Sequence, residues 1–392
     1  MNKVTYDQLQ ETLCYERLSN GLDVYILPKK DFQRTYATFS THYGSIDNHF
    51  QREGGNALKV PDGIAHFLEH KMFAEPDADV FSLFSQRGAS VNAFTTFDRT
   101  TYLFSATEQI GKNLETLLDF VQHPYFTDEN VRKEQGIIEQ EIRMYQDNPD
   151  WLVYMRLIKA LYHVHPVRID IAGTIDSIRE ISKELLYECY RTFYHPENML
   201  LFIVGGVDPE EMLQLVRDNQ AKKSFSPLGT VKRFSAEEPE HIHEKKTVSH
   251  LPVSMSKCMF GFKEKSVQLT GRDLLAMECE TKLMLELIFG SGSPLYQELY
   301  DEQLITDQFG FDFQCHPQYA FSVIGGDTKD PEQLIARVLS SVEKIKQTGL
   351  DPEQFERIRK KKIGTFLRML NSPEAIAYDF TRQDRKSTRL NS

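Results

Sequence analysis

Two hydrophobic periods take turns along the chain, and each change of period marks an element. Asn20-Gly21 is a turn dipeptide that introduces Leu22 to Leu27, a strand ending at Pro28. Ala37 to Tyr43 alternates as a second strand and stops at Gly44. From Gly63 to Phe73 the spacing becomes helical, and a further helix from Val80 closes at Gly88, a glycine just past the helix end. Ser90 to Thr95 and Thr100 to Ser105 return to alternation, with Thr96-Phe97-Asp98 as a hairpin turn between them. Val91, Ala93 and Thr95 share one face of the first of these strands, and Asn92 and Phe94 the other. So few large apolar residues suit a sheet edge. Such an edge either accepts an extended peptide through main-chain hydrogen bonds or is blunted by its polar side chains, and the pattern leaves both readings open.

The longest helical pattern runs from about Thr127 to Gln146. Val131, Ile138, Ile142 and Tyr145 form its apolar stripe, with Glu134 and Glu141, seven residues apart, on the flank. Carboxylates beside a buried stripe need a partner, for which a metal is one candidate and a solvated helix border the plainer account. A helix from Trp151 leads to His163 and His165, which the following Pro166 places in a loop as structural residues. His195 also falls in a loop without partner spacing. Met199 to Gly205 is a continuous apolar run, hence a strand buried on both faces, and Asp208-Pro209 opens the next helix. Later come helices near Leu274 to Phe289, Pro331 to Gln347 and Pro352 to Leu370, with a strand from Ala320 to Gly325. The glycine run at Gly290 lacks the Gly-Lys-Ser/Thr ending of a phosphate loop. Strands and helices mixed in this order predict an α+β protein.

At 392 residues the chain exceeds one ordinary core and suits two domains. The boundaries expected are 1–234, a charged linker at 235–247, and 248–383. The final stretch, 384–392, turns abruptly basic and polar and reads as a non-native tail after a truncated second domain. His241 and His243 fall in the linker and read as solvated rather than metal-binding. The net charge of −11, with no Lys/Arg block to neutralise phosphates, argues against nucleic acid and anionic membrane as partners. Five scattered cysteines without a Cys-x-x-Cys pair point to a reducing, cytoplasmic setting, and no apolar run is long enough for a membrane span.

One cluster carries chemistry. In His66-Phe67-Leu68-Glu69-His70 the two histidines lie one helical turn apart on one face, and Glu69 lies on that side. Zn²⁺ takes imidazole nitrogens at about 2.0–2.1 Å, and a catalytic site keeps one of its four positions for water. The carboxylate is then free as general base. The order His-x-x-Glu-His is that of the inverted zincins. With 12 histidines in the chain such a motif would arise by chance in about one sequence in thirty, so its surroundings must decide.

Those surroundings resemble the pitrilysin/insulysin-type metallopeptidases, particularly the shorter branch that contains mitochondrial processing peptidase. The resemblance runs from about Leu18 to Tyr378. It rests on Leu18-Ser19-Asn20-Gly21, Gly44-Ser45, the motif itself, Val91-Asn92-Ala93-Phe94-Thr95 with Thr100-Thr101-Tyr102, Glu134 with Glu141, Gly173-Thr174, and Phe193 to Met199. It implies two similar α+β domains, each a mainly antiparallel sheet packed with helices, closing over a chamber. It also implies one Zn²⁺ per chain held by His66, His70 and Glu141, with Glu134 supporting the site, Glu69 as the catalytic base, and a peptide substrate added as a strand at Asn92, Ala93 and Phe94.

In the family, an Arg and a Tyr seven residues later help hold substrate and stabilise the tetrahedral intermediate. Here the corresponding positions are Tyr300 and Asp307. Losing two such donors costs about two or three orders of magnitude in rate. The expectation is therefore a zinc endopeptidase that draws the missing donors from a related partner subunit, as a heterodimer, or works alone or as a homodimer with other local groups in their place. The alternative is a non-catalytic structural subunit.

Overall fold

The computed structural model describes residues 1–76, 79–265 and 268–384; all but the first residue of the expected tail at 384–392 lies outside them. Packing divides the chain into two units. The first holds Met1–Ile142, Ile169–Ser235 and the segment from Leu370; the second holds Arg143–Arg168 and Ala236–Met369. The chain thus changes unit more often than the boundaries expected at 234 and 248 provide for.

The first unit is built on strands β1 (Asn2–Tyr6), β2 (Glu11–Arg17), β3 (Asp23–Pro28), β4 (Thr35–Thr41), β5 (His49–Arg52), β6 (Leu58–Lys59), β7 (Ser90–Thr95), β8 (Thr100–Ala106), β9 (Met199–Gly205) and β10 (Val231–Arg233). Seven of these form one sheet in the order β1-β2-β3-β9-β4-β8-β7. Only β3 and β9 run parallel; the other neighbours are antiparallel. β10, β5 and β6 make a small separate sheet.

The run of apolar residues in β9 has a physical reason. Met199, Leu201 and Ile203 enter the main core, whereas Leu200, Phe202 and Val204 enter a second cluster on the opposite face, so no position is left for a polar residue. Helices α1 (Ile64–Lys71), α2 (Val80–Ser85), α3 (Ile110–Val121) and α4 (Asp128–Gln146) follow in the chain, and then α5 (Pro149–Leu161) of the second unit. Next are α6 (Ile175–Arg179), α7 (Lys183–Phe193) and α8 (Pro209–Ala221).

The start of α1 is fixed by backbone contact. Gly63 and Gly173 both have positive φ, and a Cβ on either would fall 2.4 Å from a carbonyl oxygen, of Ala172 and Asp62 respectively. Only glycine permits both the conformation and the approach. Thr174 and Ser177 form a capping box on α6, and the Ser177 hydroxyl also donates to the Asp62 carbonyl at 2.7 Å. The helix that carries the histidine motif is thereby tied to a loop more than a hundred residues downstream.

The second unit has a three-stranded antiparallel sheet of β11 (Ser256–Phe260), β12 (Gly310–His316) and β13 (Tyr319–Thr328), in the order β11-β13-β12. Helices α9 (Gly271–Phe289), α10 (Pro294–Asp301), α11 (Pro331–Thr348) and α12 (Pro352–Met369) accompany it around its own core. The last helix, α13 (Pro373–Asp384), belongs to the first unit. Its Ile376 and Ala377 cover the outer face of the large sheet, and Phe380 stacks on Phe202 at 4.3 Å. Thirteen α-helices among the described residues and antiparallel-rich sheets make the protein mixed α+β.

Candidate metal centre

Two helices of the first unit build the site. α1 presents His66, Glu69 and His70, and α4 presents Glu134 and Glu141. The burial of Val131, Ile138 and Ile142 on one side of α4 turns both glutamates toward the histidines. The Nε2 of His66 lies 3.7 Å from one carboxylate oxygen of Glu141, and the Nε2 of His70 lies 3.6 Å from the other. These gaps exceed a hydrogen bond and approach the spacing of about 3.3 Å between two ligand atoms of a tetrahedral zinc site. Among the described residues, His66, His70 and Glu141 are the group that brings three ligand atoms within 4.8 Å of one another.

The remaining contacts prepare these atoms for a cation. Glu134 meets Nδ1 of His70 at 3.1 Å; because a carboxylate accepts, Nδ1 carries the proton and Nε2 keeps its lone pair toward Glu141. The other oxygen of Glu134 accepts from Lys71 at 3.3 Å. Burial pushes the His66 imidazolium down to about 3, with help from nearby His70, so the ring is neutral and available as a ligand. Burial alone would lower His70 too, but the hydrogen bond to Glu134 and the surrounding carboxylates raise it. Against its own burial, Glu134 is held low by His70 and Lys71. The donor set of two imidazoles and one carboxylate fits zinc.

Glu69 stands apart from this group. Burial raises its carboxyl to about 6, partly opposed by a hydrogen bond from Thr95. That hydroxyl donates to Glu69 Oε2 at 2.6 Å. Thr95 is the last residue of β7, which among the described residues pairs only with β8 and so forms one edge of the large sheet. The edge expected at Ser90 to Thr95 is therefore present, and it ends beside the candidate base. The amide of Ala93 donates to the side chain of Asn92 at 2.9 Å rather than to the ladder. Phe94 turns to the outer face and packs near Tyr378.

Another carboxylate of α4, Glu139, pairs with Arg179 at 3.1 Å. Neither Lys71 nor Thr95 was singled out by sequence spacing. The strand alternation that puts Thr95 with Val91 and Ala93 was the available signal for one; for Lys71, adjacency to the motif was the only one. His195 accepts from the amide of Glu197 and His165 from that of Val167, both local loop contacts. None of the five cysteines forms a disulfide. No helix among the described residues is long and apolar enough to cross a membrane.

Comparison with known proteins identifies the family. The family described as Insulinase (Peptidase family M16) matches residues 57–175, and the family described as Peptidase M16 inactive domain matches residues 180–362. The zinc protease YmfH of Bacillus subtilis is 53% identical over 380 residues, covering 97% of this chain and 89% of that protein. The crystal structure of an M16-like peptidase from Alicyclobacillus acidocaldarius superposes with a TM-score of 0.94 at 43% identity, covering 96% of this chain and 89% of that one. A protease from Helicobacter pylori, 20% identical, shares the fold at a TM-score of 0.81 over 95% of this chain and 90% of its own. On this evidence the chain belongs to the insulinase, or M16, peptidase family.

Proposed function

We propose that the chain is a zinc-dependent endopeptidase acting on peptides or small unstructured polypeptides. The observation that carries this reading is the convergence of His66, His70 and Glu141 beside a buried Glu69 that touches an edge strand. His66, His70 and Glu141 would hold the ion, and Glu134 would fix the His70 ring. Bound there, zinc supplies the acidity that makes water nucleophilic near neutral pH. Glu69 would take a proton from the attacking water and return it to the leaving amine, while Thr95 holds its Oε2. A peptide lies along β7 at Asn92, Ala93 and Phe94, its carbonyl replacing the Asn92 side chain on the Ala93 amide.

Removal of metal tests the reading directly. Chelator-stripped protein is expected to lose hydrolysis of an unstructured peptide and to regain it with one equivalent of zinc at this site; hydrolysis that persists without metal would overturn it. The substrate strand has its own test. Ala93→Pro removes the edge amide and is expected to reduce kcat/KM about tenfold, the worth of one or two main-chain hydrogen bonds, with zinc content unchanged. An unaltered kcat/KM would remove β7 as the substrate strand.

A second reading is favoured by Tyr300 and Asp307. Where the resemblance calls for Arg and Tyr, these residues sit at the end of α10 and in the turn before β12, both exposed. A related partner subunit that supplies the two donors would make this chain the metal-bearing half of a heterodimer. A purely structural subunit would instead stay inactive in every mixture with related chains, so reconstitution assays separate the two.

A further inference from the structure

The segment expected to be a solvated linker is anchored within the second unit. Glu238 accepts the backbone amides of His163, Val164 and His165, each at 2.8 Å, and the ammonium of Lys263 at 2.6 Å. The amide of Glu244 donates to the carbonyl of Ala160 at 2.9 Å. Burial alone would raise the Glu238 carboxyl, but Lys263 and the three amides outweigh it and hold the group at about 2. The segment is therefore fastened against the end of α5 on both sides of residues 241–243.

This fastening gathers three imidazoles. The ring of His163 lies between His241 and His243, with centroids 4.7 and 4.8 Å away. The Nδ1 atoms of His163 and His243 are 3.2 Å apart. Two neutral imidazoles can share one hydrogen bond at that distance. It also matches the separation of about 3.3 Å between two nitrogens on one tetrahedral zinc ion.

Other contacts favour the ion. Glu244 Oε1 lies 3.4 Å from Nε2 of His243, so a carboxylate faces the distal nitrogen, as it commonly does for a ligating histidine. The His163 ring meets the other imidazoles through Nδ1; its Nε2 is buried without a hydrogen-bond partner and would carry the proton when Nδ1 binds a metal. The side chain of His243 is 37% exposed, open to an ion arriving from solvent. His241 stands against the same ring without bringing a third ligand atom to within 4.8 Å of the other two, so its exposed ring has to turn to complete the set.

We propose that His163 and His243 bind a divalent transition-metal ion through their Nδ1 atoms, completed by His241, at a site separate from His66, His70 and Glu141. Imidazole sites of this kind suit zinc, copper or nickel. A bound ion would lock residues 241–243 to the end of α5.

The test is zinc titration of the metal-free full chain, followed by gel filtration in zinc-free buffer and measurement of retained metal. Wild type is expected to retain two equivalents. The double variant His66→Ala/His70→Ala should retain one, and His243→Ala one. His241→Ala should bind its second equivalent at least about tenfold more weakly, since losing a ligand costs no less than losing an outer partner of one. His243 lies on the accessible side of the cluster, so its variant decides the matter even if His163→Ala fails to fold. A folded His66→Ala/His70→Ala variant that retains no zinc, or a His243→Ala variant that still retains two equivalents, would overturn the proposal. Because the double variant reports on this site alone, its result does not depend on whether the chain is a peptidase.

Discussion

Replacing Glu69 with glutamine is expected to lower peptide hydrolysis by about 10²–10⁴-fold, the usual contribution of a positioned general base, while zinc stays bound. The substitution is nearly isosteric, and glutamine can still accept the Thr95 hydroxyl through its amide oxygen. What it loses is the capacity to take up a proton. Glu69 is suited to that task because it is only 7% exposed and burial raises its carboxyl to about 6, close to the range where a base both ionises and reprotonates near neutrality. It is not among the three residues whose ligand atoms converge, so metal content should be the same in both proteins. The paired measurement is turnover of an unstructured peptide together with zinc per chain. Undiminished turnover at equal zinc would remove Glu69 from the catalytic role.

Much of this site was legible before the fold was known because helical spacing is rigid. His66 and His70 must share a face at four residues apart, and Glu134 and Glu141 must share a flank at seven, wherever the helices lie. β7 was legible as an edge because its alternating pattern lacks large apolar residues. Contacts between distant segments were not legible in this way. The pairing of Thr95 with Glu69 depends on how α1 meets β7, which the approach of Gly63 to Ala172 helps to fix. The assignment of α13 to the first unit depends on Phe202 and Val204 needing cover on the outer face of the sheet. A charged stretch such as 235–247 looks solvated because composition cannot show that one carboxylate, Glu238, will meet three amides. For the same reason His163 read as a structural loop residue beside His165, whereas His241 and His243 approach it from about 80 residues away.

The two glutamates of α4 should separate by size of effect on zinc binding. Glu134 touches the ion's surroundings only through His70 Nδ1 and Lys71. In Glu134→Gln the amide oxygen still accepts from Nδ1, so the ring keeps its orientation but loses a negative neighbour. The loss expected is about 10–100-fold in affinity at the His66 site, typical of an outer partner of a metal-bound histidine. Lys71, 4% exposed and already lowered by burial, loses its counter-ion and becomes easier to deprotonate, which limits the electrostatic penalty. Glu141→Gln removes the only anionic member of the converging set and leaves two neutral imidazoles, so its loss should exceed about 100-fold. Competition against chelators of graded strength, in a His243→Ala background that silences the second proposed site, measures both on one scale. The opposite order, with Glu141→Gln holding zinc as tightly as wild type and Glu134→Gln releasing it, would make Glu134 the ligand and would require His70 to bind through Nδ1, the nitrogen that now faces Glu134.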